Sequence, residues 1–554
     1  MGMKVIGRLP FHRLFPGVWP LLAGVLLASA YPPFNTAGEP VWFALVPLFL
    51  MLRRVPPRDG FKFGFLCGVP FWIITLCWFP AIIKNNGPWV LVLLGWMGLS
   101  GWCALFFGAF GFLSAKVWGW ARSGGCFGWR RLVTVAAVDP LLWVGLEWVR
   151  GWLLSGFAWN FLGVSQSANL PIIQIASVAG VYGVSYLIIL GNEALASLAE
   201  RVALPIIRRI RREPVFPSPL PLRIASSLES LLPFLLILVV WGWGGNRLNR
   251  WRKVEAETPD AWQIALIQPN APCVFQANRE LARVRFEGLR DQTRLANLAN
   301  PDLIVWPETA TPGFLPGHPD TRRYIQSCLS EKGAPLLTGT VEADGTTVYN
   351  AAWLVNAAAE KLGGYRKRHL VPFGEYIPLD KVFPILQRLA PTGESCTPGD
   401  SPSLITLAND RHSAPLRIGT VICFEDTVPG LCRLTAKAGA DLLALLTNDA
   451  WFNHSCEALQ HQQQSVFRAV ETGLPMVRAA NSGITCYTSP VGKIRQLQNG
   501  DQLSDFDGFL SVRIPAATFP TPYVRWGDAL LAIPGALLAL LLALPKRISR
   551  FLRA

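Results

Sequence analysis

Two hydrophobic patterns divide the chain. In one, apolar residues run on with little polar relief, near Leu14–Ala30, Val41–Leu52, Phe61–Ile83, Pro88–Ala115, Leu132–Val149, Ile172–Leu198, Ala225–Gly245 and Ala529–Leu544. A helix needs about 20 apolar residues to cross a bilayer, and these runs reach or approach that length; the first two are short and interrupted by proline. The pattern predicts a multi-pass helical membrane domain over 1–245 with seven spans and an eighth span over 524–545. Between them, over 255–520, short apolar runs alternate with amphipathic ones. Trp262–Gln268, Leu303–Trp306, Pro335–Val341, Val348–Val355, Leu416–Ile422, Asp441–Leu446, Pro475–Ala480, Ile484–Ser489 and Gly508–Ile514 read as strands. Arg279–Ala299, Asp320–Lys332, Val428–Ala438 and Cys456–Thr472 read as helices. Near-continuous Val, Ile and Leu strands separated by helices indicate sheets covered on both faces, an α/β layering.

Charge sharpens this division. The 554 residues are 51% hydrophobic and only 16% charged, with a net charge of +15. From Glu255 to Arg525 there are 27 acidic and 24 basic residues, so the positive excess belongs to the apolar part. There it falls in alternate connectors. Lys4, Arg8 and Arg13 precede the first run; Arg53, Arg54, Arg58 and Lys62 follow the second; Lys116, Arg122, Arg130 and Arg131 follow the fourth. Arg201, Arg208, Arg209, Arg211, Arg212 and Arg223 separate the sixth from the seventh, and a basic tail over 546–554 follows the eighth. The intervening connectors hold little beyond Lys84 and Arg150, and this alternation predicts both ends in the cytoplasm and the 255–520 domain outside the cytoplasmic membrane. Arg247, Arg250, Arg252 and Lys253 break the alternation, but they open a long domain, which translocates largely regardless of charge. Retention and cleavage of the first span after Ala28-Ser29-Ala30 fit the charge pattern equally. A basic stripe with interleaved aromatics on a soluble module is missing, which argues against nucleic acid as a partner.

Three ionisable residues stand where apolar strands end. Glu308 closes D-L-I-V-W-P-E, Lys367 lies in G-G-Y-R-K-R-H-L-V-P-F-G-E-Y ahead of Glu375, and Cys423 closes L-R-I-G-T-V-I-C. A thiol at a sharp turn out of a buried strand is placed as a nucleophile would be. It needs a base to remove its proton and a cation to hold the thiolate and a tetrahedral oxyanion, roles that Glu308 and Lys367 can fill. His369, His454 and His461 keep a cysteine–histidine arrangement open. Asp139, Glu147 and Glu193 fall in or near spans, and Glu147 with Arg150 one turn on predicts an ion pair. The 11 cysteines contain no C-x-x-C pair and their pairing cannot be read from spacing.

In this order and context, Glu308, Lys367 and Cys423 resemble the carbon–nitrogen hydrolase (nitrilase) superfamily. E-W-V-R-G-W-L-L-S-G-F-A-W-N (147–160), Q-I-A-S-V-A-G-V-Y-G-V-S-Y (174–186), V-P-F-G-E-Y-I-P (371–378) and T-N-D-A-W-F (447–452) narrow the likeness to its membrane-embedded apolipoprotein N-acyltransferase family, over nearly the whole chain. The resemblance implies an αββα sandwich, Glu308 as general base, Lys367 as oxyanion and thiolate stabiliser, Cys423 as nucleophile and Glu375 as a supporting carboxylate. It implies acyl-site roles for Phe424, Glu425 and Trp451, and neither metal nor cofactor. Two positions depart from the family pattern: Phe424 stands where tyrosine is common, and Phe275 where tryptophan is. The implied reaction moves an acyl chain from a phospholipid, through a Cys423 thioester, to the α-amine of a diacylglyceryl-cysteine on an apolipoprotein. A membrane-tethered amidase using the same triad, or an inactive lipoprotein-binding scaffold, are the alternatives.

Overall fold

A computed structural model describes residues 17–85, 87–123, 128–210, 220–258, 260–272, 279–311, 319–329, 333–378, 395–452, 454–515 and 517–544. Six helices among them are long and apolar enough to cross a membrane: Pro57–Asn85, Trp89–Arg122, Gly128–Arg150, Val181–Val202, Ser227–Glu257 and Pro522–Ala543. The first two expected spans are shorter. Val18–Ala28 has 11 residues and Val46–Leu52 has 7; at 1.5 Å per residue the second reaches only about 10 Å. The sixth expected run is also divided. Leu170–Ile173 and Ala176–Ala179 are separate short helices, and Gly180, at φ +68°, turns the chain into the long helix that starts at Val181.

The bundle packs through small residues and pairs its arginines Arg53 and Arg131 with glutamates. A Cβ on Gly64 would sit 2.1 Å from the Phe107 carbonyl oxygen, so the Pro57–Thr75 and Trp89–Ser123 helices touch backbone to backbone. Arg53 pairs with Glu193 and Glu200, and Arg131 lies 3.0 Å from both Glu200 and Glu229. The predicted Glu147–Arg150 ion pair is absent. Glu147 accepts from Trp143 Nε1 (3.0 Å) and the Leu162 N–H (2.7 Å), while Arg150 donates to the Phe157 and Trp159 carbonyls (2.6 and 2.9 Å) and lies over the Trp72 ring. Asp139 accepts from Ser114 and Trp118.

The α/β domain is two six-stranded sheets face to face. Its strands are β1 (Ala261–Gln268), β2 (Leu303–Val305), β3 (Leu336–Asp344), β4 (Thr347–Val355), β5 (Lys361–Arg366), β6 (Leu404–Leu407), β7 (Leu416–Ile422), β8 (Leu442–Thr447), β9 (Met476–Ala480), β10 (Cys486–Thr488), β11 (Ile494–Gln496) and β12 (Gly508–Pro515). The orders are β12-β1-β2-β3-β4-β5 and β11-β10-β9-β8-β7-β6. In each sheet three central strands run parallel, β1-β2-β3 and β7-β8-β9, with antiparallel strands outside them. Period-2 alternation explains the layering. Ile264, Leu266, Val305, Ile418, Ile422 and Leu446 fill the space between the sheets. Ala265, Ile267 and Ile304 point outward against the Arg279–Asn297 and Pro319–Cys328 helices, and Val421, Leu443 and Leu445 point outward against Pro429–Lys437 and Glu457–Thr472. The result is the expected αββα sandwich. All nine expected strands are present; β5, β6 and β11 are additional.

Membrane and α/β parts meet around Gln460. Its Oε1 accepts from Trp78, Trp159 and Asn160 (3.1, 2.8 and 3.1 Å), and its amide nitrogen donates to the Pro32 and Thr75 carbonyls. Asn85 adds bonds to the Ala450 and Trp451 carbonyls, and the Ser155 and Tyr376 hydroxyls lie 2.8 Å apart.

Candidate active site

Three strand ends converge on one buried cluster. Glu308 follows β2, where Pro307 ends the strand while the chain stays bonded to β3: the Trp306 N–H donates to the Leu337 carbonyl and the Ala310 N–H to that of Gly339. Gly339 is required there, because a Cβ would lie 2.6 Å from the Glu308 Cα. Lys367 follows β5, its N–H donating to the Asn350 carbonyl at 2.8 Å. Cys423 follows β7 with φ +51°, a left-handed conformation that costs a non-glycine residue on the order of 1 kcal/mol. It turns the chain sharply from Ile422 into the Cys423–Thr427 turn, which lifts the thiol out of the strand and leaves the N–H groups of that turn beside it.

The side chains form one buried network. Lys367 Nζ lies 2.9 Å from Glu375 Oε1 and 3.5 Å from Glu308 Oε1. Asn350 Nδ2 donates to both carboxylates, at 2.8 Å to Glu308 and 2.6 Å to Glu375. Glu375 also accepts from the Val371 N–H at 2.8 Å, which ties the loop after Lys367 to the lysine. The Cys423 thiol lies within the electrostatic reach of both Glu308 and Lys367. Burial raises the Glu308 carboxyl against the opposing pull of Lys367. Burial alone would lower Lys367, but Glu375 and Glu308 outweigh it and hold the ammonium well above its usual value. Burial and then Glu308 push the Cys423 thiol well up, with Lys367 opposing. The resting arrangement is therefore a thiol beside a carboxylate that can take its proton and an ammonium that stays charged.

The other expected residues take distinct places. Glu425 is fully buried and bonds only within the protein: Tyr365 Oη (2.8 Å) and the N–H groups of Arg368 (2.8 Å), His369 (3.1 Å) and Ile422 (2.8 Å) donate to it. It pins the Lys367 loop to the cysteine turn. The Phe424 ring lies 6.2 Å from those of Phe157 and Trp159 in the membrane domain, within 17° and 4° of parallel, and 6.0 Å from His369. Trp451 is half-buried in the Asp449–Phe452 turn, held by Asn85. Phe275 lies outside the described residues.

The histidines are otherwise engaged. His454 is exposed beside Asp505, and His369 stacks on Phe424. His461 is buried between Asp426 (2.8 Å to Nε2) and Asp449 (3.1 Å to Nδ1), and Arg478 reaches Asp449 at 2.6 Å. Burial and Arg478 oppose its protonation, yet Asp426 and Asp449 raise it to about 10. Both imidazole nitrogens are engaged by these aspartates, and Glu457 joins Asp449 and His461 in one buried group. Sequence reasoning missed Asn350, Tyr365, Asp426, Gln460 and Arg478. Asn350 and Arg478 carried a signal, each being one polar residue inside an apolar strand.

Comparison with known proteins agrees with this division. Residues 23–194 match the model of the apolipoprotein N-acyltransferase N-terminal domain, and residues 263–502 match that of carbon-nitrogen hydrolase. The chain is 32% identical over 537 residues to an apolipoprotein N-acyltransferase of Geobacter metallireducens, covering 95% of each chain. It is 31% identical over 533 residues to one of Azotobacter vinelandii, covering 92% of each. The chain belongs to the apolipoprotein N-acyltransferase family. It also resembles a solved Nesterenkonia amidase of the nitrilase superfamily, at 19% identity and a TM-score of 0.37, covering 50% of this chain and 99% of that one. As a member of the N-acyltransferase family, the chain joins its α/β domain to a membrane bundle through Phe424 and Gln460.

Proposed function

We propose that this protein is an acyltransferase that moves an acyl chain from a phospholipid to the α-amine of a diacylglyceryl-modified N-terminal cysteine on an apolipoprotein. The observation that carries this reading is the convergence of Glu308, Lys367 and Cys423 at the edge where Phe424 stacks on membrane-domain rings. A site for a water-soluble amide has no need of that position; both lipid substrates do, because each buried CH₂ holds them in the bilayer by about 0.8 kcal/mol. The names of the relatives support the same reaction.

In this mechanism Glu308 takes the Cys423 proton and the thiolate attacks the phospholipid ester carbonyl. Lys367 and backbone N–H groups of the Cys423 turn hold the oxyanion. Collapse breaks the ester C–O bond, and Glu308 returns the proton to the leaving lysophospholipid. The acceptor amine then attacks the thioester, Glu308 takes its proton, and the thiolate departs, giving ping-pong kinetics. Glu375 and Asn350 position the lysine and the base; Glu425 positions the two loops. The domain assignment completes the proposal: a membrane domain over 1–245, a catalytic domain over 255–520 outside the bacterial cytoplasmic membrane, a final span over 524–545 and a basic cytoplasmic tail over 546–554. Intact-mass measurement after incubation with a phospholipid of defined chains tests the chemistry. An adduct of one acyl group, absent in Cys423→Ala and discharged by a diacylglyceryl lipopeptide, is expected. Turnover of small amides without an adduct would overturn it.

A further inference from the structure

Cys77 and Cys456 are 379 positions apart in the chain, yet their sulfurs lie 3.8 Å from one another. Cys77 is exposed in the turn after the Pro57–Thr75 helix; Cys456 is buried at the start of the Glu457–Thr472 helix. They face each other across the junction of the two domains. Trp78, next to Cys77, packs edge-on against Phe452 at 4.8 Å and donates to Gln460, whose amide nitrogen is 3.6 Å from the Cys456 sulfur.

We propose that Cys77 and Cys456 form a reversible disulfide that clasps the catalytic domain to the membrane domain, closed by an extracytoplasmic thiol–disulfide oxidoreductase. This rests on the reading that places the catalytic domain outside the cytoplasmic membrane, where disulfides persist. A disulfide bond is about 2 Å long, so the sulfurs must approach by roughly that distance again. Cys77 is the more exposed of the two thiols and is the one that reacts first. Its thiolate attacks the oxidoreductase disulfide to give a mixed disulfide, and the Cys456 thiolate then attacks the Cys77 sulfur and expels the oxidoreductase. Two S–H bonds become one S–S bond, and the oxidoreductase leaves as a dithiol with both electrons and both protons. The bond ties down the flank of the Asp449–Phe452 turn beside the catalytic cluster and closes a very long loop, which restricts the unfolded chain.

The test uses the full chain in its native membrane. Free thiols are blocked with N-ethylmaleimide and the unreduced digest is read by mass spectrometry. A peptide pair joined through Cys77 and Cys456 is expected, lost after dithiothreitol and absent in Cys77→Ser. Mild reduction is expected to speed thermal inactivation of acyl transfer several-fold in the parent and not in Cys77→Ser. In parallel, Lys437→Cys, an exposed site on the Pro429–Lys437 helix, reports the side of the membrane through an impermeant maleimide. Alkylation of both Cys77 and Cys456 while Lys437→Cys is labelled from outside overturns the clasp. Labelling of Lys437→Cys only from inside overturns the placement of the domain, and the clasp with it, as a separate result.

Discussion

The α/β domain contains two buried charge clusters built from similar parts. Around Cys423, Glu308 and Glu375 share one cation, Lys367, and one amide, Asn350. Beneath it, Asp426 and Asp449 share His461 and Arg478, and their oxygens take further bonds from Ser465 and Thr447. In the lower cluster every aspartate oxygen is matched by a fixed donor. In the upper one a carboxylate faces a thiol whose proton can move. Buried charge alone therefore does not mark chemistry; a charge aimed at a transferable proton does.

The largest expected effect breaks the upper cluster at its sulfur. Under the proposed assignment, Cys423→Ala lowers acyl transfer by about 10⁴-fold or more, leaves the melting temperature nearly unchanged and abolishes the acyl adduct in intact-mass spectra. Lys367→Met removes the oxyanion cation, and turnover per folded molecule falls by about 10²–10³, read from initial rates normalised to folded protein. The lower cluster responds in the opposite way. Arg478→Leu strands Asp426 and Asp449 and costs about 3–5 kcal/mol of stability, seen as a fall in melting temperature, while the folded fraction keeps most of its turnover.

A pH series separates the clusters further. His461 is raised from an ordinary 6.5 to about 10, and Glu457 from 4.5 to about 8 by burial and Asp449. Both bind protons more tightly folded than unfolded. The stability His461 gives is complete below its ordinary value and lost as pH rises toward 10; that of Glu457 is lost between its ordinary value and about 8. The melting temperature is expected to fall from neutral pH to pH 10, and His461→Gln to flatten that decline. Turnover instead rises with pH as the raised Glu308 carboxyl ionises. The smallest effect is expected from Phe424→Tyr. The ring stacks on Phe157 and Trp159, so turnover should stay within about twofold and stability within about 1 kcal/mol.

Much of the site was legible because ionisable residues interrupt apolar runs. Glu308, Lys367 and Cys423 stand out against D-L-I-V-W-P, the loop before V-P-F-G and R-I-G-T-V-I for that reason. The strands that escaped are ones whose pairing comes from neighbours: β5, K-L-G-G-Y-R, carries two glycines and charges at a sheet edge, and β6 and β11 are 4 and 3 residues long. The Glu457–Thr472 helix shows the deeper limit. Its sequence holds a histidine, four glutamines and an arginine, as a solvated helix would, yet all but Ala458 and Leu459 are buried between sheet and membrane bundle. Contact between domains leaves no period in the sequence, so Gln460 could not be found from it. The same blindness hid the true partners of Glu147 and Arg150.

The proposed base and cation ride on one sheet, at the ends of β2 and β5, whereas the sulfur rides on the other, at the end of β7. Neither half can cleave an ester alone. In the proposed mechanism a chain whose second layer is unassembled therefore lacks half of its chemistry, which arrives only when the whole architecture has closed.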